Sequence, residues 1–221
     1  MSYLEFLNTY GEALIGGSLM TVAQFVLAAL VAVAAALIAG LMKLAPVKTV
    51  RGIATVYIEL FRGTSLLVQL YWVFFALPLF GVSLHKFTAG FLTVGLCFGA
   101  YGAELVRGAV ASVPKGQWEA ALALNLSPAR RMWRIILPQA FIIMLPPWGN
   151  LMVEILKGTA LVALISVADL MFEARQINSA TYLSAQAFGT ALILYYVFAR
   201  FAVTPLMRWL ERSMARRIGK A

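Results

Sequence analysis

The feature that most constrains this chain is the length of its charge-free apolar stretches. No ionisable residue occurs between Glu12 and Lys43, and this interval is rich in Ala, Val and Leu. A helix needs about 20 mostly apolar residues to cross the hydrocarbon core of a bilayer, because each residue rises about 1.5 Å. The interval meets that requirement, so it predicts a first membrane-spanning helix over residues 14–41.

The rest of the chain has the same character. Of its 221 residues 62% are hydrophobic and 12% are charged, whereas soluble domains average about 45–50% apolar and about 25% charged residues. A soluble fold of this composition would leave large apolar patches in water, while a lipid solvent removes that penalty. We therefore predict an all-α membrane protein that forms a single transmembrane domain over residues 1–221.

Four more segments complete the predicted spans: 63–80, 87–107, 135–156 and 184–207. The third reaches full length only if Glu104 lies at the membrane edge, where a charge costs little. Its glycines, at positions 90, 95, 99 and 102, fit close contacts between helices. Residues 158–168 are apolar but too short to cross. The sequence thus predicts five transmembrane helices.

The distribution of the cations predicts the orientation. The net charge is +9, but the cations cluster between the spans rather than on a soluble face beside aromatic residues, so no nucleic-acid partner is expected. An outward N-terminus places nearly all of them on the inner side, as the positive-inside rule requires, and leaves the C-terminus in the cytoplasm. The outer loops then hold Lys86 and Arg175. The inner cations are Lys43, Lys48, Arg51, Arg62, Arg107, Lys115, Arg130, Arg131, Arg134, Arg208, Arg212, Arg216, Arg217 and Lys220.

A cytoplasmic loop, residues 113–134, separates the third and fourth spans and is longer than a simple connection needs. Residues 117–124 are good helix formers, and Asn125 can end this helix because Asn tolerates the left-handed conformation. Ser127 can then cap a second helix that has Pro128 in its first turn. We predict a short helix on the inner surface, followed by a bend into the fourth span.

The middle of this short helix offers a docking surface. Glu119 supplies one carboxylate for an ionic contact, and Ala120 and Ala121 are small enough for a partner to pack on them. An interfacial helix that contacts only lipid is the alternative that composition leaves open.

The loop resembles the EAA loop of binding-protein-dependent importer permeases. Their pattern is Glu-Ala-Ala, three residues, Gly, nine residues, Ile, one residue, Leu-Pro. Asn125 stands at the glycine position and can make the same turn. The matching residues are Glu119, Ala120, Ala121, Ile135, Leu137 and Pro138.

Further stretches are similar to the polar amino acid uptake branch of that family. These are YIELFRGTSLLVQL at 57–70, SVPKGQWEAALAL at 112–124, residues 134–140, and KGTAL at 157–161, with Ser65 where the branch usually has Pro. The resemblance implies the type I ABC importer permease fold, with five transmembrane helices, the N-terminus outside, the C-terminus cytoplasmic, and a cytoplasmic coupling helix between spans 3 and 4. The coupling residues that it implies are Glu119, Ala120, Ala121, Asn125 and Pro138.

The resemblance also implies partners and a location. These are an ABC ATPase dimer, a second permease subunit that is a copy or a sister chain, and a periplasmic or extracellular solute-binding protein, with the permease in the bacterial cytoplasmic (inner) membrane. The chain has no G-x-x-x-x-G-K-[ST] motif. We therefore expect ATP and Mg on the partner ATPase, no cofactor on this chain and no enzyme activity of its own. The branch suggests polar or basic amino acids, opines or ectoine as solutes.

Ionisable residues inside spans are costly, and they mark candidate functional sites. Glu154 and Lys157 lie on one helical face of the fourth span, with Asn150 one turn earlier. They either line the path of a zwitterionic or cationic solute or pair with each other to offset their burial. Glu59 and Arg62 are also three residues apart, and we expect them to set the position of the second span. An ion-coupled secondary transporter is the alternative function, although no internal repeat supports it.

Overall fold

The computed structural model describes residues 2–218, which are almost entirely helical and contain no strand. Lys220, counted among the inner cations, lies outside the described residues. The helices are α1 (Tyr3–Lys43), α2 (Lys48–Gly63), α3 (Leu66–Tyr71), α4 (Lys86–Ala111), α5 (Lys115–Ala123), α6 (Pro128–Arg131), α7 (Leu137–Thr159), α8 (Leu170–Thr181), α9 (Ser184–Val197) and α10 (Thr204–Ile218). Short π-helical turns (Trp72–Ala76, Met132–Ile136 and Phe198–Val203) and 3₁₀ turns (Leu77–Phe80 and Ala160–Ile165) extend several of them.

The first helix begins well before the predicted position because its N-terminus is capped. The Ser2 hydroxyl accepts the Glu5 N–H at 3.3 Å, and the Glu5 carboxylate accepts the Ser2 N–H at 2.8 Å. This reciprocal capping box satisfies two backbone donors that a helix start otherwise leaves free. The helix therefore extends about three turns beyond the predicted 14–41.

The second span differs most from its prediction. The predicted span 63–80 nearly coincides with the helical segment Leu66–Phe80, but this segment meets α2 at a bend of 105°, so the two form a bent pair. Helix α2 contains charged residues along its length, so a search for charge-free intervals does not detect it. Arg62, which the sequence placed at the edge of the second span, lies in the last turn of α2.

The remaining apolar helices are longer than predicted. The helical segments Lys86–Ala111, Pro128–Ile165 and Ser184–Met214 contain the predicted spans 87–107, 135–156 and 184–207. Within residues 2–218, four helices are long and apolar enough to cross a membrane, or five when the bent pair counts as one span. The fold is thus all-helical with the expected number of candidate spans.

The core forms where α1 packs along α4 and α7 closes the other side of α4. A Cβ atom on Gly95 would lie 2.6 Å from the Val31 side chain, and one on Gly102 would lie 2.7 Å from the Trp148 ring. No larger residue fits at these crossings, which confirms the prediction that glycines permit close helix contact.

Glu104 joins the C-terminal parts of α1 and α4. Its carboxylate oxygens lie 2.6 Å from Lys43 Nζ and 2.8 Å from Arg107 Nε, and the Glu104 side chain is 18% exposed. The cost of placing this carboxylate in the third span is therefore offset by two cations.

Candidate coupling and substrate sites

A turn that needs a left-handed residue ends the short helix α5. Asn125 has φ of +52°; its N–H donates to Leu122 O at 2.8 Å, and the Leu126 N–H donates to Ala121 O at 3.1 Å. These two bonds define a Schellman motif, which satisfies the last carbonyls of a helix. The conformation predicted for Asn125 is confirmed.

Side chains from α4 and α7 anchor α5. Trp118 packs against a buried cluster that includes Val113 and Ile136, and the Arg131 guanidinium lies 5.8 Å from the Trp118 ring centroid. Gln139 of α7 donates a hydrogen bond to the Gln117 side chain at 3.2 Å. Helix α5 is therefore fixed to the ends of two long helices.

The exposed face of α5 is only partly the one that the sequence suggested. Glu119 and Ala120 are exposed, but Ala121 is 2% exposed and faces the rest of the chain. The expectation that Ala121 offers a surface to a partner is therefore wrong. Leu122 and Leu124 are 58% and 72% exposed and extend the protrusion; sequence reasoning treated them only as helix formers.

Pro138 shapes the start of α7. It is the second residue of that helix and is half-buried. The preceding π-helical turn ends with a bond from the Leu137 N–H to Met132 O, and Pro138 itself has no N–H to donate. Ser127 precedes α6 as predicted, but its side chain makes no capping hydrogen bond.

The predicted substrate residues share one exposed stripe on α7. Asn150, Glu154 and Lys157 are exposed, whereas neighbours such as Leu151 and Ile155 are buried. Lys157 Nζ lies 3.0 Å from Glu154 Oε1, and the two side chains are 62% and 56% exposed. The two side chains therefore form an ion pair on the exposed face of the single chain. Helix α7 continues through Pro146 and Pro147.

A cavity of about 240 Å³ lies beside Asn150, between α7 and α10. Polar side chains of α10 line its other wall: Thr204, Arg208 and Glu211. Sequence reasoning placed Arg208 among inner cations and did not consider Glu211. The polar stripe of α7 therefore continues onto the last helix.

Glu59 and Arg62 do not form an ion pair with each other. Ion pairs within residues 2–218 are Lys43–Glu104, Arg107–Glu104 and Lys157–Glu154. The Arg62 guanidinium instead lies 5.4 Å from the Tyr101 ring centroid.

A buried polar network joins α1, α8 and α9. Asp169 is fully buried; its Oδ1 accepts the Phe172 N–H at 2.9 Å, and its Oδ2 accepts the Tyr195 hydroxyl at 3.2 Å. The Leu170 N–H donates to Thr21 Oγ1 at 3.1 Å. Burial raises the pKa of Asp169 to about 6. Sequence reasoning did not predict this network; the only signal for it was the position of Asp169 directly before helix α8.

No group of three or more His, Cys, Asp or Glu side chains suited to a metal ion occurs in the part of the chain that the structure describes. Residues 13–216 match the family model described as "Binding-protein-dependent transport system inner membrane component". The chain belongs to this family.

Individual relatives of the chain are named as permeases of amino acid transport systems. The chain is 44% identical over 183 residues to a probable amino-acid ABC transporter permease of Sinorhizobium fredii, covering 80% of this chain and 76% of the relative. It is 32% identical over 219 residues to the L-cystine transport system permease of Bacillus subtilis, covering 96% and 91%. It is 37% identical over 164 residues to the glutamine transport system permease of Escherichia coli, covering 73% and 74%.

Two solved structures of ABC transporters have the same fold as this chain. A crystal structure of an amino acid ABC transporter with histidines superposes with a TM-score of 0.88 at 34% identity, covering 96% of this chain and 99% of that chain. An inward-facing structure of the MetNI methionine ABC transporter has the same fold, with a TM-score of 0.79 at 16% identity, covering 93% of this chain and 98% of that chain.

Proposed function

We propose that this chain is the permease subunit of a type I ABC importer that carries a polar amino acid across a bacterial inner membrane. It spans the membrane five times, with the N-terminus outside and the C-terminus in the cytoplasm, and residues 1–221 form one permease domain. The observation that carries the proposal is the exposed protrusion α5, held rigidly on two long helices in a chain of this family.

Coupling to ATP hydrolysis occurs through this protrusion. Two ATPase subunits bind ATP with Mg and contact the exposed residues Glu119, Ala120, Leu122 and Leu124, while Ala121, Asn125 and Pro138 hold the helix in shape. Because Trp118 and Gln117 tie α5 to its base, movement of the ATPases passes directly to α4 and α7. This is rigid-body motion between packed states, the basis of alternating access.

The exposed stripe on α7 requires a second permease subunit. A charged side chain on a lipid-facing helix is costly. Glu154 and Lys157 are both more than half exposed in the single chain. A copy or a sister permease covers this face and encloses a polar path lined by Asn150, Glu154 and Lys157, which a solute-binding protein loads from outside.

Reconstitution in proteoliposomes tests the function. The permease, its ATPase and the solute-binding protein from the same gene cluster are assayed with labelled L-glutamine, L-cystine and L-histidine. We expect uptake of at least one amino acid that requires both ATP on the ATPase side and the binding protein on the other. Uptake driven by a proton or sodium gradient alone would support an ion-coupled carrier and contradict the proposal.

A charge reversal at Glu119 tests the coupling site. Glu119→Lys removes the exposed carboxylate of α5 without touching its buried base, so the permease should insert normally but recover less than a tenth of the wild-type ATPase on purification and lose uptake in proportion. Glu12→Lys reverses an equally exposed carboxylate of α1 and should leave both unchanged. Wild-type assembly and uptake by the Glu119 variant would remove this residue from the docking surface.

A further inference from the structure

An apolar groove runs between α1 and α10, with α7 as its floor. It has a volume of about 440 Å³, and every residue that lines it is hydrophobic. Trp148 and Met152 of the floor are buried, whereas Leu30 of α1 and Leu206 of α10 are more than half exposed and form its two edges. The groove is therefore a cleft with a packed floor and open edges.

The length of the groove matches one leaflet of a bilayer. On α1 it extends from Phe25 to Leu37, which is about 18 Å at a rise of about 1.5 Å per residue. Half of the hydrocarbon core of a membrane measures about 15 Å. In the proposed orientation α1 runs inward, so the Leu37 end of the groove lies toward the cytoplasm. One extended acyl chain of the inner leaflet therefore fits along it.

The groove and the exposed polar stripe lie on opposite sides of α7. Phe141, Leu145 and Trp148 line the groove, and the residues nine positions after them are the three members of the stripe. Nine residues make about two and a half turns of an α-helix, so the two sets point in opposite directions. A second permease subunit that covers the stripe thus leaves the groove facing lipid.

Two arginines continue the groove face of α7 toward the cytoplasm. Arg134 precedes Phe141 by about two turns, and Arg130 precedes Arg134 by about one, so all three lie on roughly the same face of the helical segment Pro128–Ile165. Both arginines are exposed, and no carboxylate within residues 2–218 lies at ion-pair distance from either. Basic pockets between membrane helices on the cytoplasmic side bind the head groups of anionic lipids.

An apolar cleft of this length below two free cations fits a lipid. We propose that the groove binds one acyl chain of an anionic phospholipid of the inner leaflet, whose phosphate Arg134 and Arg130 hold at the membrane surface. The inference rests on the proposed function only for the orientation of the chain. A guanidinium suits the phosphate because it donates two parallel hydrogen bonds. Met144, Met152 and Met207 suit the chain because methionine side chains adapt to irregular apolar shapes.

Native mass spectrometry of the purified permease–ATPase complex tests the groove. The complex is freed of lipid in detergent and titrated with phosphatidylglycerol or with phosphatidylcholine that has the same acyl chains. We expect each permease chain to bind one phosphatidylglycerol, with a Kd at least tenfold lower than that for phosphatidylcholine. Ala202→Trp places a large ring in the groove from an exposed position and should weaken binding of both lipids at least tenfold. Leu192→Trp adds the same ring at an exposed position outside the groove and should bind like the wild type.

The head group is tested by removing its cations. The double variant Arg130→Gln/Arg134→Gln keeps the groove, so it should bind both lipids with equal affinity. The matched control Lys48→Gln/Arg51→Gln removes two exposed cations of α2 and should retain the preference for phosphatidylglycerol. If the arginine double variant does not assemble with the ATPase, Arg134→Gln alone should reduce that preference.

Three results would overturn the proposal. The first is equal binding of the two lipids by the wild type, and the second is a full preference for phosphatidylglycerol in the arginine variants. The third is wild-type binding by Ala202→Trp, or loss of the permease dimer in that variant, which would show that the second subunit covers the groove. If Ala202→Trp does not fold, the arginine variants carry the test. Lipid binding needs neither solute nor nucleotide, so its failure leaves the uptake test of the importer unaffected.

Discussion

At the scale of single residues, Asp169 is the most unusual group outside the spans. It is fully buried, yet it caps α8 and accepts the Tyr195 hydroxyl. Loss of hydration disfavours the ionised carboxyl more than these hydrogen bonds favour it, so the pKa of Asp169 rises from 3.8 to about 6. The residue therefore favours the folded protein most when it is protonated.

The sign of this shift gives a prediction for stability. The folded state binds a proton near pH 6 and the unfolded state near pH 3.8, so the Asp169 contribution to the free energy of unfolding is greatest below pH 3.8 and is lost as pH rises through 6. The full effect is on the order of 3 kcal/mol. Asp169→Asn does not titrate, so the melting temperature of the wild type, followed by tryptophan fluorescence in detergent, should rise relative to the variant as pH falls from 7 to 4. Parallel profiles would contradict a raised pKa.

At the scale of helices, each π-helical turn precedes a proline. The turns end at Ala76, Ile136 and Val203, and Pro78, Pro138 and Pro205 follow two positions later. A proline ring in a regular helix clashes with the carbonyl four residues earlier and donates no bond. The wider turn separates the ring from that carbonyl, which explains how α7 and α10 continue through Pro138 and Pro205.

Some features of these helices could be predicted from the sequence, and others could not. The number of apolar segments follows from charge-free length alone, and the left-handed Asn125 follows from side-chain chemistry. The break between α2 and α3 at Thr64 and Ser65 could not be predicted from the sequence. There the Gln69 side chain donates a hydrogen bond back to Phe61 O, a contact that only the folded chain brings about. Charge counting also missed helix α2, because Lys48, Arg51, Glu59 and Arg62 leave no charge-free interval there.

The Schellman turn of α5 offers a test at this scale. Asn125→Val forces a β-branched residue into the left-handed conformation, which costs about 1–2 kcal/mol and should fray the turn that presents Leu122 and Leu124. We expect a lower melting temperature and reduced recovery of the ATPase on purification. Asn125→Gly adopts the same conformation without strain and should match or exceed the wild type. Equal behaviour of the two variants would show that the turn does not depend on the left-handed residue.

At the scale of the whole molecule, the exposed surface of the single chain is of two kinds. Leu192 and Phe201, each 70% exposed, suit contact with lipid, whereas the stripe of Asn150, Glu154 and Lys157 does not. The sequence identified this stripe because the three residues interrupt an apolar span. Sequence reasoning missed Arg208 and Glu211, which line the other side of the cavity beside Asn150. Both residues follow position 207, the predicted end of the last span, and only the extension of α10 brings them close to Asn150.

If this stripe lines a water-filled path, its residues should react with aqueous reagents. Asn150→Cys is made in a Cys97→Ala background, which removes the buried native thiol, and the assembled transporter is treated with a membrane-impermeant thiol reagent from each side. We expect labelling from the side on which the path is open and a change of side when ATP and the binding protein are added, since alternating access moves the opening. Leu192→Cys in the same background should stay unlabelled, because a thiol in hydrocarbon forms little thiolate. Labelling of Leu192→Cys with none of Asn150→Cys would place the path on a different face of the chain.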